Sequence, residues 1–130
     1  MYEMDADGLR PGIEGRREEV VDERLTTRHV GGVGLFATPA MIGLMEQTAH
    51  KSVEPVLPAG MTSVGYEVHV KHLAPAAPGS TVIVETRLDE VRDGRKLLFH
   101  VSCRQGDTLI GEGTHRRTVV PALGPKSSRA

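Results

Sequence analysis

The sequence has little cysteine and few aromatic residues. It contains one Cys and no Trp in 130 residues, and aromatic residues make up 3% of the chain. A single cysteine excludes an internal disulfide and a cysteine-rich metal site. The scarcity of aromatic rings argues against the stacking platforms that bind single-stranded nucleic acid.

The chain also lacks an excess of charge of either sign and any long apolar run. Lys and Arg number 16 and Asp and Glu number 17, so the formal net charge is -1. Binding of nucleic acid through bulk charge is therefore not expected. No apolar run approaches the ~18 residues of a membrane span, and the acidic N-terminus lacks the apolar core of a signal peptide. We expect a cytoplasmic protein that binds neither nucleic acid nor a membrane.

The stretch from Phe36 to Glu46 predicts the start of a long buried helix. Thr38 is a good N-cap residue, and Pro39 suits the first helical position. The helix is expected to end near Val53, before two prolines and a glycine. Apolar residues cover most of its circumference, so little of the helix can face water. Glu46 lies among them. Because removing a carboxylate from water is costly, a Glu in apolar surroundings is a candidate for a functional role.

Four predicted strands follow the helix, and short turns join them. They cover residues 62–72, 81–91, 96–104 and 108–120, and each shows a period of two. In the first of these strands the alternation predicts one apolar face, formed by Val64, Tyr66, Val68, Val70 and His72. A weaker strand is predicted at residues 18–27, before the helix.

This order of elements predicts an α+β hotdog fold, in which a curled antiparallel sheet of about five strands wraps one long central helix. The domain is expected to span residues 16–121. Residues 1–15 are predicted to form a flexible arm, and residues 122–130 a disordered tail. Because a single curled sheet exposes edge strands, we expect a homodimer, and pairing of dimers into tetramers stays open.

Several short segments resemble the fluoroacetyl-CoA thioesterase family of hotdog proteins. In chain order they are Phe36-Ala37-Thr38, Gly43-Leu44-Met45-Glu46, Gly65, His72, Pro78-Gly79 and Ile110-Gly111-Glu112-Gly113-Thr114-His115. The resemblance covers roughly residues 35–120. It implies a homodimeric enzyme that hydrolyses small acyl-CoA thioesters. Neither a metal nor a cofactor is implied, because coenzyme A is part of the substrate.

The resemblance also assigns roles to individual residues. Thr38, Glu46 and His72 correspond to the catalytic set, which works at the dimer interface in that family. Phe36 and Gly65 correspond to substrate-binding positions. The Phe-containing lid that precedes the Phe-Ala-Thr motif in the fluoroacetyl enzyme has no counterpart here, so specificity for a fluorinated acyl group does not carry over.

The chemistry of these side chains agrees with that assignment. Glu46 is suited to act as a general base or nucleophile, and His72 as an acid or a base. Thr38 lies eight positions before Glu46, or ~12 Å along one helix, so the two residues would have to meet across a dimer interface.

Three basic residues are candidates for the phosphates of coenzyme A, namely Lys71, Arg116 and Arg117. Two other functions stay open at this stage. One is a hotdog hydratase or dehydratase that acts on acyl thioesters, and the other is a non-catalytic module that binds acyl-CoA.

Overall fold

The computed structural model describes residues 8–28, 32 and 34–123, and the structural statements below concern these residues. In chain order the strands and the long helix are β1 (Glu14–Val20), β2 (Thr26–Thr27), β3 (Leu35–Phe36), α1 (Thr38–Val53), β4 (Met61–His72), β5 (Thr81–Arg92), β6 (Lys96–Gln105) and β7 (Thr108–Pro121). Two short 3₁₀ turns, Glu23–Leu25 and Glu54–Val56, precede β2 and follow α1.

Five of the strands form one antiparallel sheet in the order β1-β5-β6-β7-β4. The short strands β2 and β3 pair separately, just before α1. Helix α1 packs on one face of the large sheet and contacts β5, β1, β6 and β4. This arrangement confirms the predicted hotdog fold. Within the described part of the chain, no helix is long and apolar enough to cross a membrane.

The core lies between α1 and the inner face of the sheet. Alternate residues of β5 and β6 are buried as predicted, with Val82, Val84, Thr86, Leu88, Leu97, Phe99, Val101 and Cys103 pointing inward. The helix contributes Met41, Leu44, Met45, Ala49 and Val53. Burial raises the pKa of the Cys103 thiol to about 11, so this thiol stays protonated and unreactive at neutral pH.

The predicted apolar face of β4 is wrong in its first half. Val64 and Tyr66 are 45% and 51% exposed, whereas Ser63 is 3% exposed. The register between β4 and β7 shifts between Gly65 and Glu67, so Tyr66 is the extra residue of a β-bulge. A bulge inserts one residue and thereby reverses which alternate side chains face inward. Before Tyr66, the side chains that face inward are therefore those predicted to face outward.

The N-terminal predictions also need correction. Strand β1 covers Glu14–Val20 rather than residues 18–27. The prediction failed because charged residues dominate the sequence of β1 and hide its alternation. Residues 8–13 precede that strand without forming a loose arm. Leu9 is buried, and the Gly12 N–H donates to the Leu88 carbonyl at 2.8 Å. The rest of the predicted arm, residues 1–7, and residues 124–130 of the predicted tail lie outside the described residues.

Candidate active site

Thr38 and His72 form a hydrogen-bonded pair at the start of α1. The Thr38 Oγ1 lies 2.7 Å from His72 Nδ1. The N-cap of the helix is Ala37, and Thr38 is the first helical residue, so the predicted N-cap role of Thr38 is wrong. Because its hydroxyl makes no capping bond, that group is available to the imidazole at the end of β4.

Phe36 packs against the His72 ring. The edge of one ring meets the face of the other, with centroids 6.0 Å apart and planes inclined by 79°. Phe36 is itself buried, and its N–H donates to the carbonyl of Ala76 at 2.9 Å. His72 Nε2 is enclosed and has no hydrogen-bond partner among the described residues. The side-chain hydrogen bond of this imidazole among the described residues is the one between Nδ1 and the Thr38 hydroxyl.

A cleft of about 320 Å³ adjoins this pair, and we call it the His72 cleft. Besides Thr38 and His72, it is lined by Thr27, Leu35, Phe36, Leu73, Ala74 and Pro75. The sequence patterns gave no indication of Leu35 or Leu73, because both lie next to strand ends where alternation is not informative.

Glu46 lies in a different cleft, of about 380 Å³, which we call the Glu46 cleft. Its other lining residues are Gln47, His50, Lys51, Ser63, Val64, Gly65 and Arg117, so the two clefts share no residue. Gly65 and His72 are seven positions apart on β4, or roughly 23 Å at most at ~3.3 Å per residue. One chain therefore presents the predicted catalytic set as two separate halves.

Arg117 organises the floor of the Glu46 cleft. Only 7% exposed, it donates from Nε to Ser63 Oγ and from Nη2 to the Ser63 carbonyl, both at 2.8 Å. It also donates to His115 Nε2 at 3.1 Å and to His50 Nδ1 at 3.2 Å. Burial lowers the pKa of Arg117, and the carboxylate of Glu46 opposes that shift. This guanidinium is engaged inside the protein and does not project from the surface as a phosphate ligand would.

His115 is the last residue of the Ile110–His115 segment, and the sequence assigned it no role of its own. Its Nδ1 lies 2.9 Å from the Glu67 carbonyl oxygen and must donate to it, while Nε2 accepts from Arg117. The imidazole is therefore neutral. A Cβ atom on Gly65 would lie 2.7 Å from His115 Cε1, so the absence of a side chain at Gly65 is what makes room for this histidine.

The other two predicted phosphate ligands lie elsewhere. Lys71 is exposed and points away from the helix, because neighbouring residues of a strand face opposite sides of the sheet and His72 faces inward. Arg116 donates to Glu67 Oε2 at 3.2 Å. The structure does not bring Lys71, Arg116 and Arg117 together.

The neutral state of His115 predicts a loss of stability in acid. Burial lowers the pKa of His115 below its ordinary value of 6.5; the hydrogen bond to the Glu67 carbonyl opposes this shift, and the charge of Arg117 adds to it. Well above pH 6.5, His115 is deprotonated in both the folded and the unfolded protein. As pH falls below 6.5, the unfolded chain binds the proton first, so the free energy of unfolding falls by up to ~1.4 kcal/mol per pH unit until the folded pKa is reached.

Urea unfolding between about pH 8 and pH 5 measures this effect. In the His115→Gln variant the amide oxygen can accept from Arg117 in place of Nε2, but the amide cannot titrate. We therefore expect the free energy of unfolding to fall less steeply with decreasing pH than in the unsubstituted protein. Equal slopes in the two proteins would show that His115 does not contribute.

The fold and the site together define a hotdog-fold protein of the thioesterase superfamily. A Thermus thermophilus hypothetical protein described as a thioesterase superfamily member has a TM-score of 0.77 and 31% identity, over 86% of this chain and 84% of that one. The chain belongs to the fluoroacetyl-CoA-specific thioesterase family, whose sequence profile matches residues 20–122.

Two individual relatives support that membership. The fluoroacetyl-CoA thioesterase of Streptantibioticus cattleyicolor is 37% identical over 122 residues, which are 88% of this chain and 87% of that protein. A solved structure of a fluoroacetyl-CoA thioesterase has a TM-score of 0.80 at 36% identity, over 88% of this chain and 90% of that one. These comparisons confirm the family predicted from the short sequence segments.

Proposed function

We propose that this protein is an acyl-CoA thioesterase that hydrolyses a small acyl-CoA to the free acid and coenzyme A. The observation that carries the proposal is the 2.7 Å pair of the Thr38 hydroxyl and the His72 imidazole beside an open cleft, in a chain of this family. The cytoplasmic location predicted from the sequence is part of the same proposal.

The Thr38–His72 pair lies where an oxyanion can be stabilised. Thr38 is the first residue of α1, and the first N–H groups of a helix have no partner within it. These groups, together with the positive end of the helix dipole, favour negative charge on the carbonyl oxygen as water adds to the thioester. Hydrolysis also needs one group to take a proton from water and one to protonate the departing thiolate. Glu46 suits the first role and His72 the second.

The two halves of the site can meet only across a dimer interface. Strands β1 and β4 are the edges of the sheet. Strand β1 carries five charged residues in seven, which protects an edge against pairing, whereas β4 has 12 residues and few charges. We therefore place the dimer contact at β4, with two copies pairing antiparallel about a two-fold axis.

The register of that contact follows from the two clefts. For His72 to lie opposite Gly65 of the partner subunit, with Tyr66 as the extra residue of the bulge, the axis must pass through His69. The His72 cleft of one subunit then adjoins the Glu46 cleft of the other. Each dimer would contain two complete sites, and each site would draw on both chains.

The test is thiol release from a panel of acyl-CoA esters that includes acetyl-, fluoroacetyl-, butyryl- and benzoyl-CoA. The Glu46→Gln variant keeps the shape of the side chain and removes the base, so we expect kcat to fall by about 10²–10⁴-fold. Glu90→Gln, an exposed position on β5, serves as the matched control and should behave as the unsubstituted protein.

The outcomes separate the alternatives. Tight binding of acyl-CoA without thiol release from any ester would favour a binding module over an enzyme. Addition of water to crotonyl-CoA, followed as loss of its conjugated absorbance, would indicate a hydratase. Full activity in Glu46→Gln would contradict the assigned role of this carboxylate.

A further inference from the structure

The His72 cleft differs in chemistry from the Glu46 cleft. Five of its lining residues are apolar, namely Leu35, Phe36, Leu73, Ala74 and Pro75, and no Asp, Glu, Lys or Arg is among them. The Glu46 cleft, in contrast, contains Lys51 and Arg117 besides its carboxylate. The polar side chains of the His72 cleft are those of Thr27, Thr38 and His72.

Leu73 shows that the chain itself does not cover all of this apolar surface. Leu73 follows directly after His72 and is 52% exposed. Its N–H donates to the carbonyl of Ile110 at 2.7 Å, which fixes the backbone at this rim of the cleft. An apolar side chain held in position beside a reactive pair can contribute binding energy when a ligand covers it.

The volume of the cleft exceeds what a two-carbon acyl group needs. At ~30 Å³ for a water-sized group, about 320 Å³ corresponds to roughly ten such groups. An acetyl group, with its three heavy atoms, would leave most of that space unfilled.

We propose that the His72 cleft binds the aliphatic chain of the acyl group, so that linear, uncharged chains of about four to eight carbons are better substrates than acetyl or fluoroacetyl groups. This inference rests on the proposed thioesterase function and specifies its substrate class. The thioester carbonyl lies at the Thr38 hydroxyl, and the chain extends over Phe36 towards Leu73. A terminal carboxylate in this cleft would lose water without gaining a cation, so dicarboxylic acyl groups are excluded.

The experiment compares kcat/KM for acetyl-, fluoroacetyl-, butyryl-, hexanoyl- and succinyl-CoA. Each added methylene that leaves water should raise kcat/KM by up to about fourfold as far as hexanoyl. Succinyl-CoA should be hydrolysed at least tenfold less efficiently than butyryl-CoA.

A bulky substitution at the rim of the His72 cleft tests whether the acyl chain binds there. Leu73→Trp fills part of the cleft, so we expect the ratio of kcat/KM for hexanoyl-CoA to that for acetyl-CoA to fall at least tenfold. Leu123→Trp is the matched control, because Leu123 is 84% exposed and does not line the cleft, and it should leave that ratio unchanged.

Two failures can be told apart. Efficient hydrolysis of acetyl- or fluoroacetyl-CoA with no gain for longer chains overturns the acyl-chain assignment, and the thioesterase proposal stands. No hydrolysis of any ester overturns both. A hexanoyl preference that Leu73→Trp does not reduce places the chain outside this cleft and also overturns the assignment.

Discussion

An equal mixture of His72→Ala and Glu46→Gln subunits is expected to regain about a quarter of the turnover of the unsubstituted protein. In the proposed dimer each site takes His72 from one chain and Glu46 from the other. One of the two sites in the mixed dimer is therefore intact, and random assembly makes about half of all dimers mixed. Each homodimeric variant alone should turn over about 10²–10⁴-fold more slowly.

The measurement is thiol release after the two variants are co-expressed, or unfolded together and refolded. A matched control combines His72→Ala with Thr38→Ala. These residues belong to the same half-site, 2.7 Å apart in one chain, so no mixed dimer contains an intact site and activity should stay absent. Recovery in this control, or no recovery in the first mixture, would contradict a site shared between subunits.

A substitution at Gly113 should have the largest effect on stability. Gly113 lies in β7, where it pairs with Val70 of β4 on one side and with Val101 of β6 on the other. A Cβ atom on Gly113 would collide with the carbonyl oxygen of His69 and lie 2.6 Å from the Cα of Val70. Backbone atoms cannot rotate away as a side chain can, so β4 would have to separate from β7.

We expect Gly113→Ala to lower the free energy of unfolding by about 3 kcal/mol or more, at or above the usual range for overpacking. Urea unfolding measures it. Because β4 carries both Gly65 and His72, the substitution should also abolish activity. The control is Gly43→Ala in α1, where a Cβ would meet nothing within 4 Å. There the gain in helix propensity should stabilise the protein by about 1 kcal/mol. Similar stability in the two variants would refute the steric argument.

The sequence alone determined the elements whose signals are local. The helix was predicted to end at Val53, and the structure has α1 as Thr38–Val53. The inward faces of β5 and β6 also followed from simple alternation, because apolar residues at every second position must share one side of a strand. The short segments around Thr38, Glu46 and His72 were sufficient to predict the family.

Tertiary structure alone decided the features that depend on pairing between distant segments. The bulge at Tyr66 arises from the register with β7 and leaves no mark in the alternation of β4 itself. The Thr38 hydroxyl fits a capping role in the sequence, yet it bonds to an imidazole 34 positions away. Arg117, which looked like a surface cation, is buried because Ser63, His115 and His50 all accept from it. A local pattern reports which side of an element is apolar, whereas the partner that a polar group finds depends on contacts that form only when the chain has folded.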